Sequence, residues 1–292
     1  MEKLLVLCLS GLTNGSVYGL VGLSIALIYA STRVINFAQG DFVMLGAMII
    51  ASLLENQVLG PVLAILAVLG ISAISALLLE ALAYSPLVRR TDPLNLMLGT
   101  FAGSVIIGGV ALLIWGPNQI YVPGVFSMEP VRIGVITTTA QQISIVASFV
   151  VSLLVAWWIL YMTNFGLTVR ATGINASITS LMGIRANRII RFTFIFSACV
   201  SAASGVLVGP LLGGQVSMGL GLTVKGFMAA ILGGLGNPFA AAAGGLMIGV
   251  LEAMVGGYGS SLYAEPVIFA LILIVLLIRP YGLLGEFEAV QR

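Results

Sequence analysis

From Leu4 to Ala30 the sequence runs without one charged side chain. A stretch of about 20 apolar residues is enough to cross the hydrocarbon of a bilayer as a helix. Water is absent there, so every backbone N–H and C=O must be bonded within the segment, and a helix does this. Similar runs recur at Val58 to Ala83, Leu94 to Trp115, Gln141 to Met162, Phe192 to Leu212, Pro238 to Val255 and Leu262 to Ile278. Asp41 to Leu54 forms a shorter one. Only 8% of the 292 residues are charged and 60% are hydrophobic, against about 25% charged in a soluble domain. The chain is therefore read as an all-α, polytopic transmembrane helical bundle, one domain over residues 1–292, in contact with lipid. Met1 to Leu12 has a faint signal-peptide character, but its apolar run continues past any cleavage site and reads as a true span.

One crossing is short. Eleven residues, Gly226 to Gly236, separate Lys225 from Asn237. This piece must tilt, borrow Met218 to Val224 with Lys225 snorkelling to the interface, or be a broken helix lining a cavity. Counting it gives about nine spans. One side of the membrane then holds Arg33, Arg89, Arg90, Arg170, Arg185, Arg188, Arg191, Arg279 and Arg292, and the other holds Lys3, Arg132 and Lys225. Basic residues mark the cytoplasmic side, so the N-terminus is expected outside and the C-terminus in the cytoplasm.

Several function classes are excluded by what the chain lacks. It has no histidine, which removes Ser-His catalysis, histidine-ligated metal sites and histidine proton switches. Lys3 and Lys225 are the only lysines and neither precedes Ser or Thr, so there is no phosphate-binding G-x-x-x-x-G-K-[ST] loop. No catalytic residue, metal site or nucleic-acid surface is expected. Cys8 and Cys199 lie in apolar runs and read as small hydrophobes.

The longest polar break late in the chain is Asn164 to Arg191, with four basic residues and no acid. Within it Ala171, Ile174, Ile178, Leu181 and Met182 recur at helical spacing, and Gly183 is placed to end the helix. A short, basic, amphipathic helix either lies on lipid headgroups or docks in a groove of a soluble partner.

Other polar residues stand near or inside the spans. Asn36-Phe37-Ala38-Gln39-Gly40-Asp41 reads as a helix start, with Asp41 in the first turn, and equally as the mouth of a broken helix on a solute path. Glu252, deep in its span, and Asn14, near the middle of the first, are either functional or hydrogen-bonded across a helix contact. Glu80 reads as a snorkelling or paired surface carboxylate near Arg89 and Arg90 rather than a transport residue. Gly11, Gly15 and Gly19 form a stripe that admits another helix closely, as do Ser197, Ser201, Ser204, Gly205 and Gly209. Asn36-Phe37 and Asn237-Pro238-Phe239 make a weak internal echo, each ahead of a span.

Several stretches resemble the permease subunits of branched-chain amino acid (LIV-type) ATP-binding-cassette importers, the LivH-type more than the LivM-type. They include Asn14-Gly-Ser-Val-Tyr-Gly-Leu-Val-Gly-Leu, Val34-Ile-Asn36-Phe-Ala-Gln-Gly-Asp41-Phe, Leu181-Met-Gly183-Ile184, Phe227-Met-Ala-Ala-Ile-Leu-Gly-Gly-Leu-Gly236 and Arg279-Pro280-Tyr-Gly-Leu-Leu-Gly285. The likeness covers essentially the whole chain in order. Gln39 stands where a histidine is common in the family.

The resemblance implies a multi-pass permease of a bacterial-type inner membrane, and a transporter subunit rather than an enzyme. Its partners would be a second, LivM-like permease, two cytoplasmic ATPases that bind ATP and Mg, and an external solute-binding protein; this chain would hold no cofactor. Residues 164–191 would be the cytoplasmic coupling loop, with Arg170, Ala171, Asn175, Gly183, Ile184 and Arg185 toward the ATPase. Asn175-Ala176-Ser177 stands where the general importer motif has an acid-led triplet, and Gly183 comes about one residue late. Asn14, Asn36, Gln39, Asp41 and Glu252 are the candidates for the translocation path or its gate. A secondary, ion-coupled transporter is the alternative; it would usually carry several acids at mid-membrane, where this chain has Glu252.

Overall fold

The computed structural model describes residues 2–55, 60–88, 92–124, 126, 129–133, 136–280 and 282–285. Among these, nine helices build the bundle. They are α1 (Glu2–Thr32), α2 (Gln39–Glu55), α3 (Pro61–Leu79), α4 (Pro93–Trp115), α5 (Ala140–Trp157), α8 (Ala186–Leu212), α9 (Met218–Gly233), α10 (Pro238–Tyr258) and α11 (Ser261–Ile278). Two short helices, α6 (Asn164–Ile174) and α7 (Ala176–Leu181), join α5 to α8. Pro130–Ile133 and Ile136–Thr139 pair as a small antiparallel hairpin ahead of α5. Seven of the nine bundle helices are long and apolar enough to cross a membrane by themselves; α2 and α9 are shorter. An all-α polytopic bundle is what the apolar runs predict.

The helices fall into an inner and an outer set. α2 is buried over its first thirteen residues, Gln39 to Ala51, and packs mainly against α8, α9 and α3. α3, α4, α5 and α11 bury only a minor share of their surface, and their exposed residues are leucine, isoleucine, valine and aromatics. Apolar side chains facing outward are stable in lipid, so these helices need no second covering layer.

The glycine stripe of α1 does what its spacing predicts. α10 lies against it, and a Cβ at Gly11 would stand 2.7 Å from the Val250 Cα while one at Gly15 would stand 2.9 Å from the Leu246 Cα. Gly245 and Gly249 of α10 approach the α1 backbone in return. Packing of this kind takes the place of the hydrophobic effect, which gives helices little mutual attraction within lipid. Asn14 does not interrupt α1, which is continuous through it.

The short apolar piece takes in Met218 to Val224, as the second of its three routes requires. α9 starts at Met218, so Lys225 lies near its middle rather than at an interface. It does not snorkel out as expected: its ammonium turns inward to Glu252 at 2.6 Å. Glu80 also departs from expectation. It lies in a π-helical turn, Glu80–Tyr84, that extends α3. There it is buried and paired with Arg191 of α8 at 3.0 Å, not held at the surface. Arg89, Arg90 and Arg292 fall outside the described residues.

Candidate functional site

Three places gather the polar residues singled out above. The first is the entry of α2. Asn36 Oδ1 accepts the N–H of Ala38 (3.1 Å) and its amide donates to Gln39 Oε1 (3.2 Å). Gln39 Nε2 then donates to the Ser197 carbonyl (2.9 Å) and to Ser201 Oγ (2.8 Å) on α8. The N–H of Gly40 donates to Thr223 Oγ1 of α9 at 2.9 Å. Asp41 is buried beside Gly219, and its Oδ2 has no hydrogen-bond partner among the described residues. The Phe37 ring packs between Phe101 and Phe227. Asn36, Gln39 and Asp41 are thus brought together, and Asn36 and Gln39 spend their polar groups on the protein itself. The cluster pins α2 to α8, α9 and α4.

The echo at Asn237 has the same local chemistry. Asn237 Oδ1 accepts the N–H of Phe239 at 3.0 Å, as Asn36 Oδ1 accepts that of Ala38. In each case an asparagine satisfies an otherwise unpaired donor at a helix start.

The second place lies apart from the first, between α1, α9, α10 and α11. Lys225 donates to Glu252 Oε1 (2.6 Å) and to the Tyr18 hydroxyl (3.1 Å), and Glu265 Oε1 stands 3.6 Å away. Asn14 is half-buried one helical turn before Tyr18, on the same side of α1. The sequence pointed to Glu252 but not to its partner. Glu252 and Lys225 are 27 residues apart, and only a helix beginning at Met218 turns Lys225 toward α10.

The third is the connection from α5 to α8. One amphipathic helix through Met182 was expected. Asn175 instead breaks it in two. It closes α6, its N–H bonding the Ala171 carbonyl, and opens α7, its Oδ1 accepting the N–H of Ile178 at 3.1 Å. Gly183 ends α7 as predicted, at φ +83. Its N–H reaches Ser180 O and that of Ile184 reaches Thr179 O, the paired bonds of a Schellman cap. The pair of helices is fastened to the bundle through α6, whose Phe165 ring meets Phe192 of α8 at 4.4 Å and whose end meets α1. Gly173 lies against the Ala30 carbonyl, where no Cβ would fit, and Arg33 Nε donates to the Gly173 carbonyl at 3.0 Å. Arg170 stacks over Tyr161, 4.9 Å from the ring centroid. The apolar residues Ile174, Ile178, Leu181 and Met182 are all exposed, Leu181 to 87%. Arg170, Asn175, Gly183 and Arg185 are exposed beside them, while Ala171 and Ile184 are half-buried.

An inner, polar-pinned helix and a protruding helical connection within apolar spans mark an all-α polytopic membrane bundle. The family model "Branched-chain amino acid transport system / permease component" matches residues 7–277, and the chain belongs to that family. It is 31% identical to the high-affinity branched-chain amino acid transport system permease protein LivH of Escherichia coli (strain K12), covering 96% of this chain and 94% of that one. It is 32% identical to the permease protein BraD of Pseudomonas aeruginosa, over 96% and 95% of the two chains. Among solved structures, PsaBC from Streptococcus pneumoniae in complex with Fab shares the fold, with a TM-score of 0.51 and 13% identity over 96% of this chain and 93% of that one. The chain is accordingly a multi-pass inner-membrane permease subunit of an ATP-binding-cassette importer, in which the ATPase is on partner chains.

Proposed function

We propose that this subunit imports branched-chain amino acids. It does so paired with a second, LivM-like permease, driven by two cytoplasmic ATPases that hold ATP and Mg, and supplied by an external solute-binding protein. The N-terminus is outside and the C-terminus cytoplasmic. The observation that carries the reading is the α6–α7 tip. Four large apolar side chains stand exposed on a helix pair that is held at the end of α1 and against α8. Exposed apolar surface ringed by Arg170, Arg185 and Asn175 suits a partner's hydrophobic groove, and residues 164–191 serve as the coupling loop.

The anchor gives a mechanism. A push on α7 reaches Ala30 and Arg33 through Gly173, and six residues later the chain enters α2 through Asn36 and Gln39. ATP binding closes the ATPase pair and moves the tip, and the inner helices then shift between two packings. Asn36, Gln39 and Asp41 act as the gate that holds α2 in each packing, and Asn14 and Glu252 flank the route of the solute.

The test is reconstitution with the ATPases in lipid. Solute-loaded binding protein should raise ATP turnover, and Gly183→Pro or Arg185→Glu should cut that stimulation at least tenfold. If both variants respond as the wild type does, and the ATPases bind as well without residues 168–185, the coupling assignment is wrong.

A further inference from the structure

Two cavities among the described residues differ in what they offer. The larger, about 740 Å³, lies between α2, α3 and α4 and is lined by aliphatic residues, Trp115 and two serines. Trp115 already donates to Ser52 at 2.6 Å. It carries no charge and suits hydrocarbon. The smaller, about 300 Å³, lies between α9, α10 and α11. Its floor holds Lys225, Glu252 and Glu265, and its walls include Val224, Met228, Ile248 and Phe269.

This second arrangement is unusual in chemistry as well as place. An ionisable group within a span is costly unless it is paired or functional. Lys225 and Glu252 could have closed on each other alone, yet Glu265 adds a second carboxylate at 3.6 Å from the same ammonium. One positive and two negative groups leave a surplus negative charge on the cavity floor. Glu252 Oε2 is buried with no hydrogen-bond partner among the described residues, so the pair leaves an acceptor unused. A ligand that brings both an ammonium and a carboxylate would satisfy each side, and its apolar portion would meet the aliphatic walls.

We infer that the cavity between α9, α10 and α11 is a subsite for a zwitterionic amino acid with an apolar side chain, its carboxylate on Lys225 and its ammonium on Glu252 and Glu265. The inference rests on the importer reading and adds to it a point where this chain itself selects the solute, after the binding protein has released it. The Tyr18 hydroxyl, 3.1 Å from the ammonium of Lys225, orients that ammonium. Discrimination follows from the long Lys225–Glu265 contact, 3.6 Å, which the ligand parts: without a ligand ammonium the site gains a third negative group, and without a ligand carboxylate Lys225 loses Glu265 and gains nothing in return.

The experiment uses the assembled importer in lipid nanodiscs without the binding protein. Leucine, 4-methylpentanoate and 3-methylbutylamine are titrated, the last two lacking the ammonium and the carboxylate respectively. Leucine should bind, and each analogue should bind at least tenfold more weakly. Two variants test the site without disturbing its ion pair. Gly221 lines the cavity and a Cβ there meets nothing within 4 Å, so Gly221→Leu, which narrows the cavity, should weaken leucine at least tenfold. Glu265 is largely exposed. Glu265→Gln should weaken leucine and the amine several-fold and leave 4-methylpentanoate unchanged. Lys225→Met should abolish the preference for leucine over the amine.

The subsite is overturned if wild type does not bind leucine, or if Gly221→Leu and Glu265→Gln bind it as tightly as wild type does. Failure of the importer reading shows elsewhere. ATP turnover of wild type would then ignore the loaded binding protein, whatever leucine does in the nanodisc.

Discussion

Two polar clusters lie within this bundle, and they are built differently. At the entry of α2, Asn36 and Gln39 bond to each other and to α8, Gly40 bonds to α9, and the residues are almost wholly buried. Between α9, α10 and α11, Lys225 holds two carboxylates at the floor of a cavity, and one carboxylate oxygen is left over. In the first the amides and hydroxyls bond one another, and among the described residues only Asp41 Oδ2 is left over. The second is built on an ammonium and two carboxylates. In lipid both replace the hydrophobic effect as a source of specificity, because a polar group has nowhere else to find a partner. What separates them is space: a cavity of about 300 Å³ opens on the second.

Substitutions at the first cluster should therefore act on stability, and substitutions at the second on the solute. The largest stability effect is expected at Gly40, where a Cβ would run into the Gly219 carbonyl and Thr223. Gly40→Val must push α2 off α9, a misfit of about 3 kcal/mol or more. The fraction of monodisperse protein recovered after detergent extraction should fall sharply. Gln39→Leu removes the donor to Ser197 and Ser201 and should cost about 1–3 kcal/mol, read as a lower thermal midpoint with the KM for uptake unchanged. Asn36→Ala loses the bond to the Ala38 N–H and should cost about 1 kcal/mol, in the same direction. Glu265→Gln comes last, at under about 0.5 kcal/mol for an exposed position. Yet it alone of the four should raise the KM for a zwitterionic solute, several-fold. A KM change at Gln39, or none at Glu265, would erase the distinction between the clusters.

Much of this was legible in the sequence, for physical reasons that can be named. Apolar runs report spans directly, since the membrane fixes both their length and their composition. Gly11, Gly15 and Gly19 at four-residue spacing predict a face for close approach, and α10 fills it. The polar run from Asn36 to Asp41 marks the start of α2 because an amide before a helix is a cap as well as a break. Gly183 stops α7 for a similarly local reason, its positive φ.

What could not be read depends on contacts across the fold. Lys225 seemed interfacial because a basic residue beside eleven apolar ones resembles a flank. It became internal once α9 took in Met218 to Val224 and α10 presented Glu252. Glu80 was assigned to Arg89 and Arg90 by nearness in sequence, but α8 brings Arg191 to it from 111 residues away. Apolar spacing predicted a single coupling helix, since periodicity carries through Asn175 unchanged. The break comes from one asparagine serving as the C-cap of α6 and the N-cap of α7, and apolar periodicity does not register caps.

The central claim is that the two clusters divide holding the bundle from holding the solute. It is tested most directly by the shift that leucine produces in the thermal midpoint of the assembled importer, measured for Gln39→Leu and Lys225→Met side by side. The account predicts a lower starting midpoint and an intact leucine shift for Gln39→Leu, and no leucine shift for Lys225→Met. An intact shift in Lys225→Met, or its loss in Gln39→Leu, would contradict it.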